Sequence, residues 1–192
     1  MNFILDIGNV LIDFKPIPFL QGLFPEQALA DKVNNIIFKS PEWLQMDEGI
    51  VSHKDACTIF CKREPNFAQA ITHTIGQLNT MLTPISDTIK LLPKIKERGH
   101  KLYYLSNYHN ELRDYILGKH PFFSLFDGGV FSCDVNAVKP NPKIYRLLLE
   151  KYNLTAEECI FFDDMEENIA AAKKEGISSV LFTSADCIKP FL

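Results

Sequence analysis

The chain has 192 residues, of which 46% are hydrophobic and 23% are charged, and its net charge is −4 at pH 7. This length and composition fit one globular domain, or a core with a modest insertion. Because basic residues are not in excess, nucleic acid is not an expected partner. The sequence has neither an apolar run of membrane-spanning length nor a leader-like segment at its start, so we expect a cytoplasmic protein without membrane contact.

The five cysteines do not predict a disulfide framework, because their number is odd and they are scattered along the chain. Cys57 and Cys61 are four residues apart, and His53 falls on the same face of a predicted helix. This spacing is compatible with half of a metal site, but small residues in a helical interface are the commoner explanation. We therefore interpret the three as packing residues.

The order of the predicted elements indicates an α/β fold. An apolar strand at 2–6 is followed, from residue 16 to residue 83, by helical periodicity without a convincing strand. Helices and strands then alternate, with helices predicted at 85–98, 111–119, 142–152 and 166–175 and strands at 101–105, 129–133, 159–162 and 179–182. Such alternation predicts a three-layer, Rossmann-like parallel sheet that is covered by helices on both faces.

The helical stretch interrupts this pattern and predicts two units. Residues 1–15 and 84–192 would form the sheet-containing core, and residues 16–83 an inserted all-helical cap of three or four short helices. Ser40 before Pro41, and Ser52 three residues before Asp55, have the positions of helix N-caps.

Polar residues follow several of the predicted strands. In chain order these are Asp6, Ser106-Asn107 and Asp163-Asp164, and Lys139-Pro140 precedes the helix at 142. Because the carboxyl ends of parallel strands meet at one edge of a sheet, we expect these side chains to lie together. Carboxylates about 4 Å apart repel by roughly 4 kcal/mol at an effective dielectric constant of 20. A hard divalent cation would remove this repulsion, and Mg²⁺ is the default choice.

A cation and Lys139, with the Ser106 hydroxyl and the Asn107 amide, would then surround the carboxylate of Asp6. Such a cradle suits a phosphoryl group that is attacked by the carboxylate and transferred to it. Each element alone has a simpler explanation: a helix N-cap for Asp163, an ordinary turn for Ser106 and Asn107, and a solvated side chain for Lys139. The joint pattern, in this order, is what predicts a site.

Four short motifs carry a resemblance to a known family. Asp6-Ile7-Gly8-Asn9-Val10, Ser106-Asn107, Lys139-Pro140 and Asp163-Asp164 match, in order, the motifs of the haloacid dehalogenase-like hydrolase superfamily, which the chain resembles over essentially its whole length. The nearest branch contains bacterial sugar-1-phosphate phosphatases and the phosphatase domain of soluble epoxide hydrolase. The helical cap of that branch lies between the first two motifs, and Trp43-Leu44-Gln45-Met46-Asp47-Glu48-Gly49 is similar to part of it.

The resemblance implies a Mg²⁺-dependent phosphatase that hydrolyses a small phosphomonoester of the sugar phosphate type through an aspartyl-phosphate intermediate. It implies that Asp6 is the nucleophile, and that Asp6, the carbonyl of Gly8 and Asp164 bind the metal. Further positions follow from the same motifs, with Ser106, Asn107 and Lys139 binding the phosphoryl group, Asp163 supporting the metal site, and Asn168 orienting a ligand or a metal-bound water.

One position departs from the family pattern. Active phosphatases of the superfamily usually carry a second aspartate where this chain has Gly8, and that residue protonates the leaving group. Its loss can lower the rate by about 10²–10⁴-fold. Since the nearest branch shares the Gly-Asn pattern, we expect a leaving group that needs little protonation, such as the anomeric oxygen of a sugar 1-phosphate. Asp13 is a weak candidate for a replacement acid, and Trp43, Gln45 and His53 are candidates for reading the leaving group.

Two alternatives remain open. A chain without the second aspartate is compatible with a slow or inactive relative that binds a phosphorylated ligand. A metal-independent 2-haloacid dehalogenase would also attack through Asp6. It is disfavoured by the Asp163-Asp164 pair and by the lack of an arginine soon after the first motif. The sequence does not indicate an oligomeric state.

Overall fold

The structure is a computed structural model that describes residues 1–192. It contains seven strands: β1 (Asn2–Leu5), β2 (Ile12–Asp13), β3 (Thr83–Pro84), β4 (Lys101–Ser106), β5 (Gly128–Phe131), β6 (Cys159–Asp163) and β7 (Ser178–Leu181). Five of them form one parallel sheet in the order β5-β4-β1-β6-β7, and β2 pairs with β3 in a separate antiparallel ladder. The predicted α/β architecture is therefore confirmed.

Eleven α-helices surround the sheet or lie between β2 and β3. They are α1 (Pro16–Leu23), α2 (Gln27–Ile37), α3 (Pro41–Asp47), α4 (His53–Arg63), α5 (Ala68–Gln77), α6 (Ser86–Ile89), α7 (Leu92–Glu97), α8 (Asn110–Lys119), α9 (Ser132–Val135), α10 (Pro142–Tyr152) and α11 (Glu166–Lys174). None of them combines the length and the apolar character that crossing a lipid bilayer requires.

The central strand β1 contributes to two apolar layers. Phe3 and Leu5 are fully buried in one hydrophobic cluster, and Ile4 is fully buried in another. This division follows from the alternation of side chains along a strand, which sends neighbours to opposite faces of the sheet. In β6 the same alternation separates Phe162 from Phe161. Burial on both faces fixes the register and brings the carboxyl ends of β1, β4 and β6 to one edge.

Helices α1 to α5 pack around an apolar cluster of their own. Its nine buried members include Leu20, Val33 and Phe60. The predicted N-caps are confirmed, because Ser40 accepts the amide of Trp43 at 3.1 Å and Ser52 accepts the amide of Asp55 at 3.1 Å. The segment holds five α-helices where we expected three or four. Its assignment to a separate cap domain stays a prediction.

The two strands that connect the helical segment to the core, β2 and β3, lie side by side. Ile12 pairs with Pro84 and Asp13 with Thr83 in the β2-β3 ladder. Two-residue strands are too short to produce a recognisable alternation, so the sequence did not reveal them. The carboxylate of Asp13 pairs with Lys15 at 2.5 Å. Asp13 thus belongs to this crossing.

Two predicted elements were wrong in extent. The single helix expected at 85–98 is divided into α6 and α7, because Pro93 has no amide to donate and disfavours helical geometry just before it. The strand expected at 129–133 ends at Phe131, where α9 begins and buries Cys133. This early helical turn places Ser132 and Asn136 against the helical segment, where they donate to the carbonyls of Asp47 and Glu48.

We expect Phe60→Ala to lower the free energy of unfolding by about 3–5 kcal/mol, because a fully buried aromatic ring would leave a cavity. Ile59→Ala is the matched control: this neighbour on α4 is 38% exposed, and its replacement should change stability by less than about 0.5 kcal/mol. Urea unfolding of both variants measures the difference. Equal losses would contradict the packing described for α4.

Candidate active site

The ammonium of Lys139 is the centre of the polar edge of the sheet. Its Nζ lies 2.9 Å from Oδ1 of Asp6 and 2.6 Å from Oδ2 of Asp163, and it donates to the carbonyl of Leu105 at 2.9 Å. The side chain of Lys139 is only 1% exposed. A single buried cation therefore joins the carboxyl ends of β1, β4 and β6.

The turn after β1 fixes the position of Asp6 and links it to Asp164. The amide of Ile7 donates to Oδ1 of Asp6 at 2.7 Å. Asn9 adopts a positive φ of 54°, a conformation that asparagine tolerates better than most residues. Its amide nitrogen donates to Oδ2 of Asp164 at 2.9 Å, and its oxygen accepts the amide of Phe14 at 3.0 Å. Asn9 thus ties the first motif to the fourth.

Three carboxylates converge at this edge, as we predicted. Oxygens of Asp6, Asp163 and Asp164 lie within 4.8 Å of one another. Asp163 is fully buried, and both of its oxygens are already engaged by Lys139, the side chain of Asn168 and the amide of Met165. Asp6 and Asp164 are therefore the carboxylates with remaining capacity for a cation.

The electrostatics of the site favour an added positive charge. Burial raises the pKa of Asp6 to about 7, although the charge of Lys139 acts in the opposite direction and that of Asp163 adds to the rise. Burial alone would lower the pKa of Lys139, but the charges of Asp6 and Asp163 outweigh it and hold that pKa above its ordinary value. The lysine thus stays charged, while the negative charge of Asp6 is only partly neutralised by its surroundings.

Ser106 and Asn107 differ in what they offer a ligand. Ser106 is buried, and the proximity of its hydroxyl lowers the pKa of the Asp6 carboxyl. The side chain of Asn107 holds the backbone of Lys139: its nitrogen donates to the carbonyl of Lys139 at 3.0 Å and its oxygen accepts the amide of Lys139 at 2.7 Å. Asn107 also lines the cavity, and its binding of phosphoryl oxygens stays a prediction.

Asn168 lines the cavity and also holds Asp163. Its side-chain nitrogen donates to Oδ1 and Oδ2 of Asp163 at 3.0 and 3.1 Å. Its side-chain oxygen is buried and has no hydrogen-bond partner. The expectation that Asn168 orients a ligand or a metal-bound water stays a prediction.

A cavity of about 320 Å³ opens above these residues. Its floor contains Asp6, Gly8 and Lys139, and its walls include the apolar side chains of Phe14, Trp43, Tyr108, Leu112 and Met165. No arginine lines the cavity. Of the cap residues proposed to read the leaving group, Trp43 lines it, whereas Gln45 is exposed elsewhere and His53 contacts His109 from behind.

Sequence reasoning missed two residues that line the cavity, Asp47 and His109. Burial raises the pKa of Asp47 to about 8; the charge of Lys139 opposes this rise and that of Asp6 adds to it. Burial, and then the proximity of His53, hold the pKa of His109 well below its ordinary value. The available signal was the position of Asp47 within the cap-like stretch, but only the packing of α3 against α9 reveals which way this residue faces.

The sequence matches the family model of haloacid dehalogenase-like hydrolases over residues 1–176. The chain belongs to the haloacid dehalogenase-like hydrolase family. A family enzyme from Bacteroides thetaiotaomicron has the same fold, with a TM-score of 0.76, 20% identity, and coverage of 100% of this chain and 98% of that one. A structure of the same enzyme with magnesium and inorganic phosphate matches with a TM-score of 0.71, 21% identity and coverage of 93% and 92%.

Two fungal relatives match nearly the whole chain of this family member. The sesquiterpene phosphatase astK of Aspergillus oryzae is 26% identical over 182 residues, which cover 95% of this chain and 89% of that protein. The drimenol cyclase drtB of Aspergillus calidoustus is 25% identical over 186 residues, again 95% of this chain. The match spans only 34% of drtB, so this chain corresponds to about a third of that longer protein.

We expect Asp163→Ala to lower the free energy of unfolding by about 3–5 kcal/mol. The substitution leaves Asn168 and the Met165 amide without an acceptor, and it removes the negative charge that faces buried Lys139. Asp164→Asn should cost no more than about 1 kcal/mol, since the carboxylate accepts one hydrogen bond, from Asn9. Chemical denaturation compares the two. A larger loss for Asp164→Asn would reverse the roles assigned to this pair.

Proposed function

We propose that this hydrolase is a Mg²⁺-dependent phosphatase that acts on a small phosphomonoester, with Asp6 as the nucleophile. The observation that carries the proposal is the convergence of Asp6 and Asp164 beside buried Lys139 at the floor of the cavity. Cation, lysine and hydroxyl together would surround an anion of phosphoryl size, which is the arrangement that phosphoryl transfer requires.

The donor set fits a hard divalent cation. Asp6 and Asp164 provide carboxylate oxygens, and the main-chain carbonyl of Gly8 lies on the same cavity floor. All three are oxygen ligands, which Mg²⁺ prefers to nitrogen or sulfur. Bound there, the ion would neutralise charge on the phosphoryl oxygens. Asp163 would act indirectly, because its oxygens are already engaged.

The chain's own residues divide the reaction between them. Oδ1 of Asp6 is held by Ile7 and Lys139, which leaves Oδ2 as the attacking oxygen. Its lone pair forms a bond to phosphorus while the bond from phosphorus to the leaving oxygen breaks, and an aspartyl phosphate results. Lys139 and Ser106 would stabilise the negative charge of the transferring group. Water then attacks phosphorus, releases inorganic phosphate and restores Asp6.

The cavity walls indicate the kind of leaving group. Phe14, Trp43 and Tyr108 present aromatic surface opposite the polar floor, and Trp43 packs against Phe14 with ring centroids 5.8 Å apart. Such walls suit the apolar faces of a sugar or a hydrocarbon chain. Sugar phosphates are the first candidate substrates, because the motifs resemble the sugar-phosphatase branch of the family. A sesquiterpene phosphate is the second, because the relative astK is a sesquiterpene phosphatase. Turnover of a panel containing both classes would choose between them.

Two other functions of the same fold make different predictions. A 2-haloacid dehalogenase would release chloride from 2-chloropropionate without a metal, but the carboxylate cluster and the lack of arginine in the cavity disfavour it. A ligand-binding relative without activity would be stabilised by a phosphorylated compound without releasing phosphate. Assays for chloride, phosphate and thermal stability separate the three.

We expect Asp6→Asn to lower phosphate release from p-nitrophenyl phosphate by roughly 10³-fold or more, because the amide cannot act as the nucleophile. Removal of Mg²⁺ with a chelator should abolish wild-type turnover, and added Mg²⁺ should restore it. Steady-state assays measure both effects.

Asp13→Asn is the matched control, since Asp13 pairs with Lys15 in the β2-β3 crossing and does not line the cavity. It should keep wild-type activity. Undiminished turnover in the Asp6 variant, or turnover that resists chelation, would contradict the proposal. Lost activity in the control would instead assign the chemistry to Asp13.

A further inference from the structure

Gly8 leaves the predicted nucleophile without the usual neighbouring acid, and the structure offers another carboxyl group from the opposite side of the cavity. Asp47 ends α3 and lines the same cavity as Asp6, but it comes from the helical segment and not from the sheet edge. It is not one of the three clustered carboxylates. Asp47 is thus the acidic residue that the helical segment contributes to the cavity lining, whereas Asp6, Asp164 and Glu167 belong to the sheet edge and α11.

Contacts with the core hold the backbone around Asp47 in place. The hydroxyl of Ser132 donates to the Asp47 carbonyl at 2.5 Å, and the side chain of Asn136 donates to the Glu48 carbonyl at 2.7 Å. Gly49 follows with φ 70°, and a Cβ there would lie 2.6 Å from the carbonyl oxygen of Cys133. Only glycine permits this close approach. The carboxyl group therefore projects into the cavity from a fixed base.

A buried imidazole pair backs the carboxyl group. Nε2 of His109 lies 3.2 Å from Oδ1 of Asp47, but is not aligned for a hydrogen bond, so this buried nitrogen has no hydrogen-bond partner. Nδ1 of His109 lies 2.9 Å from Nε2 of His53, whose main-chain amide donates to Glu111 at 2.9 Å. The side chain of Glu111 is 42% exposed. A polar path thus leads from the cavity to the surface.

We propose that Asp47 is the general acid and base of the phosphatase, in place of the missing aspartate at position 8, and that His109 positions it. The inference rests on the proposed function and assigns a further residue to it. In the first step the Asp47 proton passes to the leaving oxygen as the bond from that oxygen to phosphorus breaks. In the second step the Asp47 carboxylate takes a proton from the water that attacks phosphorus, and the acid is restored.

The charge environment keeps a proton on Asp47 near neutral pH. Burial raises its pKa to about 8, so the acid form predominates below that pH and is lost above it. Wild-type kcat/KM on a substrate that needs the proton should therefore fall as pH rises through about 8, since kcat/KM reports the acid in the free enzyme. The titratable groups that surround the carboxyl are Asp6, Lys139, Glu48, Tyr108 and His109, with His53 behind the last.

Two esters of similar size distinguish an acid from a structural residue. Benzyl phosphate releases an alkoxide that needs a proton, whereas p-nitrophenyl phosphate releases a stable phenolate. Asp47→Asn should lower kcat/KM on benzyl phosphate by about 10²–10⁴-fold and on p-nitrophenyl phosphate by less than about 10-fold, because kcat/KM reports transfer to Asp6 and not the later attack of water, which both esters share. The fall in kcat/KM above pH 8 should disappear with it. Asp31→Asn, which replaces an exposed acid of the helical segment outside the cavity lining, should leave both substrates close to the wild-type rate.

A second aspartate at position 8 offers a rescue. No atom lies within 4 Å of a Cβ at Gly8, so Gly8→Asp fits. The double variant Gly8→Asp/Asp47→Asn should recover at least about 10-fold of the lost benzyl phosphate activity, because the proton is supplied from the core side. His109→Asn should also impair benzyl phosphate selectively. In the double variant His109→Asn/Asp47→Asn, His109→Asn should lower the activity little beyond the loss caused by Asp47→Asn, since the effects of two residues that act as one unit are not additive.

Equal losses on both esters in Asp47→Asn, or no loss on either, would overturn the role of Asp47 while leaving the Asp6 chemistry intact. An additive His109→Asn would remove His109 from the assignment. Wild-type protein that hydrolyses neither ester with Mg²⁺ would instead contradict the proposed function, and the inference with it. Thermal unfolding of each variant identifies a loss that is due to misfolding.

Discussion

The burial of one ammonium group organises this protein. Lys139 is removed from water and must find acceptors inside, and Asp6, Asp163 and the carbonyl of Leu105 provide them. Each acceptor comes from the carboxyl end of a different strand, β1, β6 and β4, so the lysine fixes their relative positions. The sheet and the site therefore depend on the same contacts, because the acceptors around the Lys139 ammonium also set the position from which Asp6 contacts a ligand.

The two adjacent aspartates show how similar residues acquire different duties. Asp163 accepts hydrogen bonds on both oxygens and is fully buried, which makes it a structural counter-charge to Lys139. Asp164 is bound by Asn9 alone and keeps capacity for a cation. Asn107 and Asn168 support this division, because Asn107 holds the backbone of Lys139 and Asn168 holds the carboxylate of Asp163.

The fold was readable from the sequence because its signals are local. The apolar strands, the helix caps at Ser40 and Ser52, and the polar residues after each strand all appear within short windows. The partners of Asn107 and Asn168 were not readable, since a side-chain amide can serve many acceptors and only the folded chain chooses one. Asp47 was also missed as an acid, because its direction depends on contacts about 85 residues away, at Ser132.

The paired crossing at β2 and β3 has a consequence for how such proteins diversify. Because Ile12 and Pro84 are neighbours in space, the chain of the helical segment joins the sheet-containing core at one place. A segment of another length or shape can be exchanged there without altering the order of the five parallel strands. The scaffold that holds Lys139 and Asp6 can thus be inherited unchanged while the part that carries Trp43 and the proposed acid Asp47 is replaced, so that selectivity and proton supply evolve apart from the attack on phosphorus.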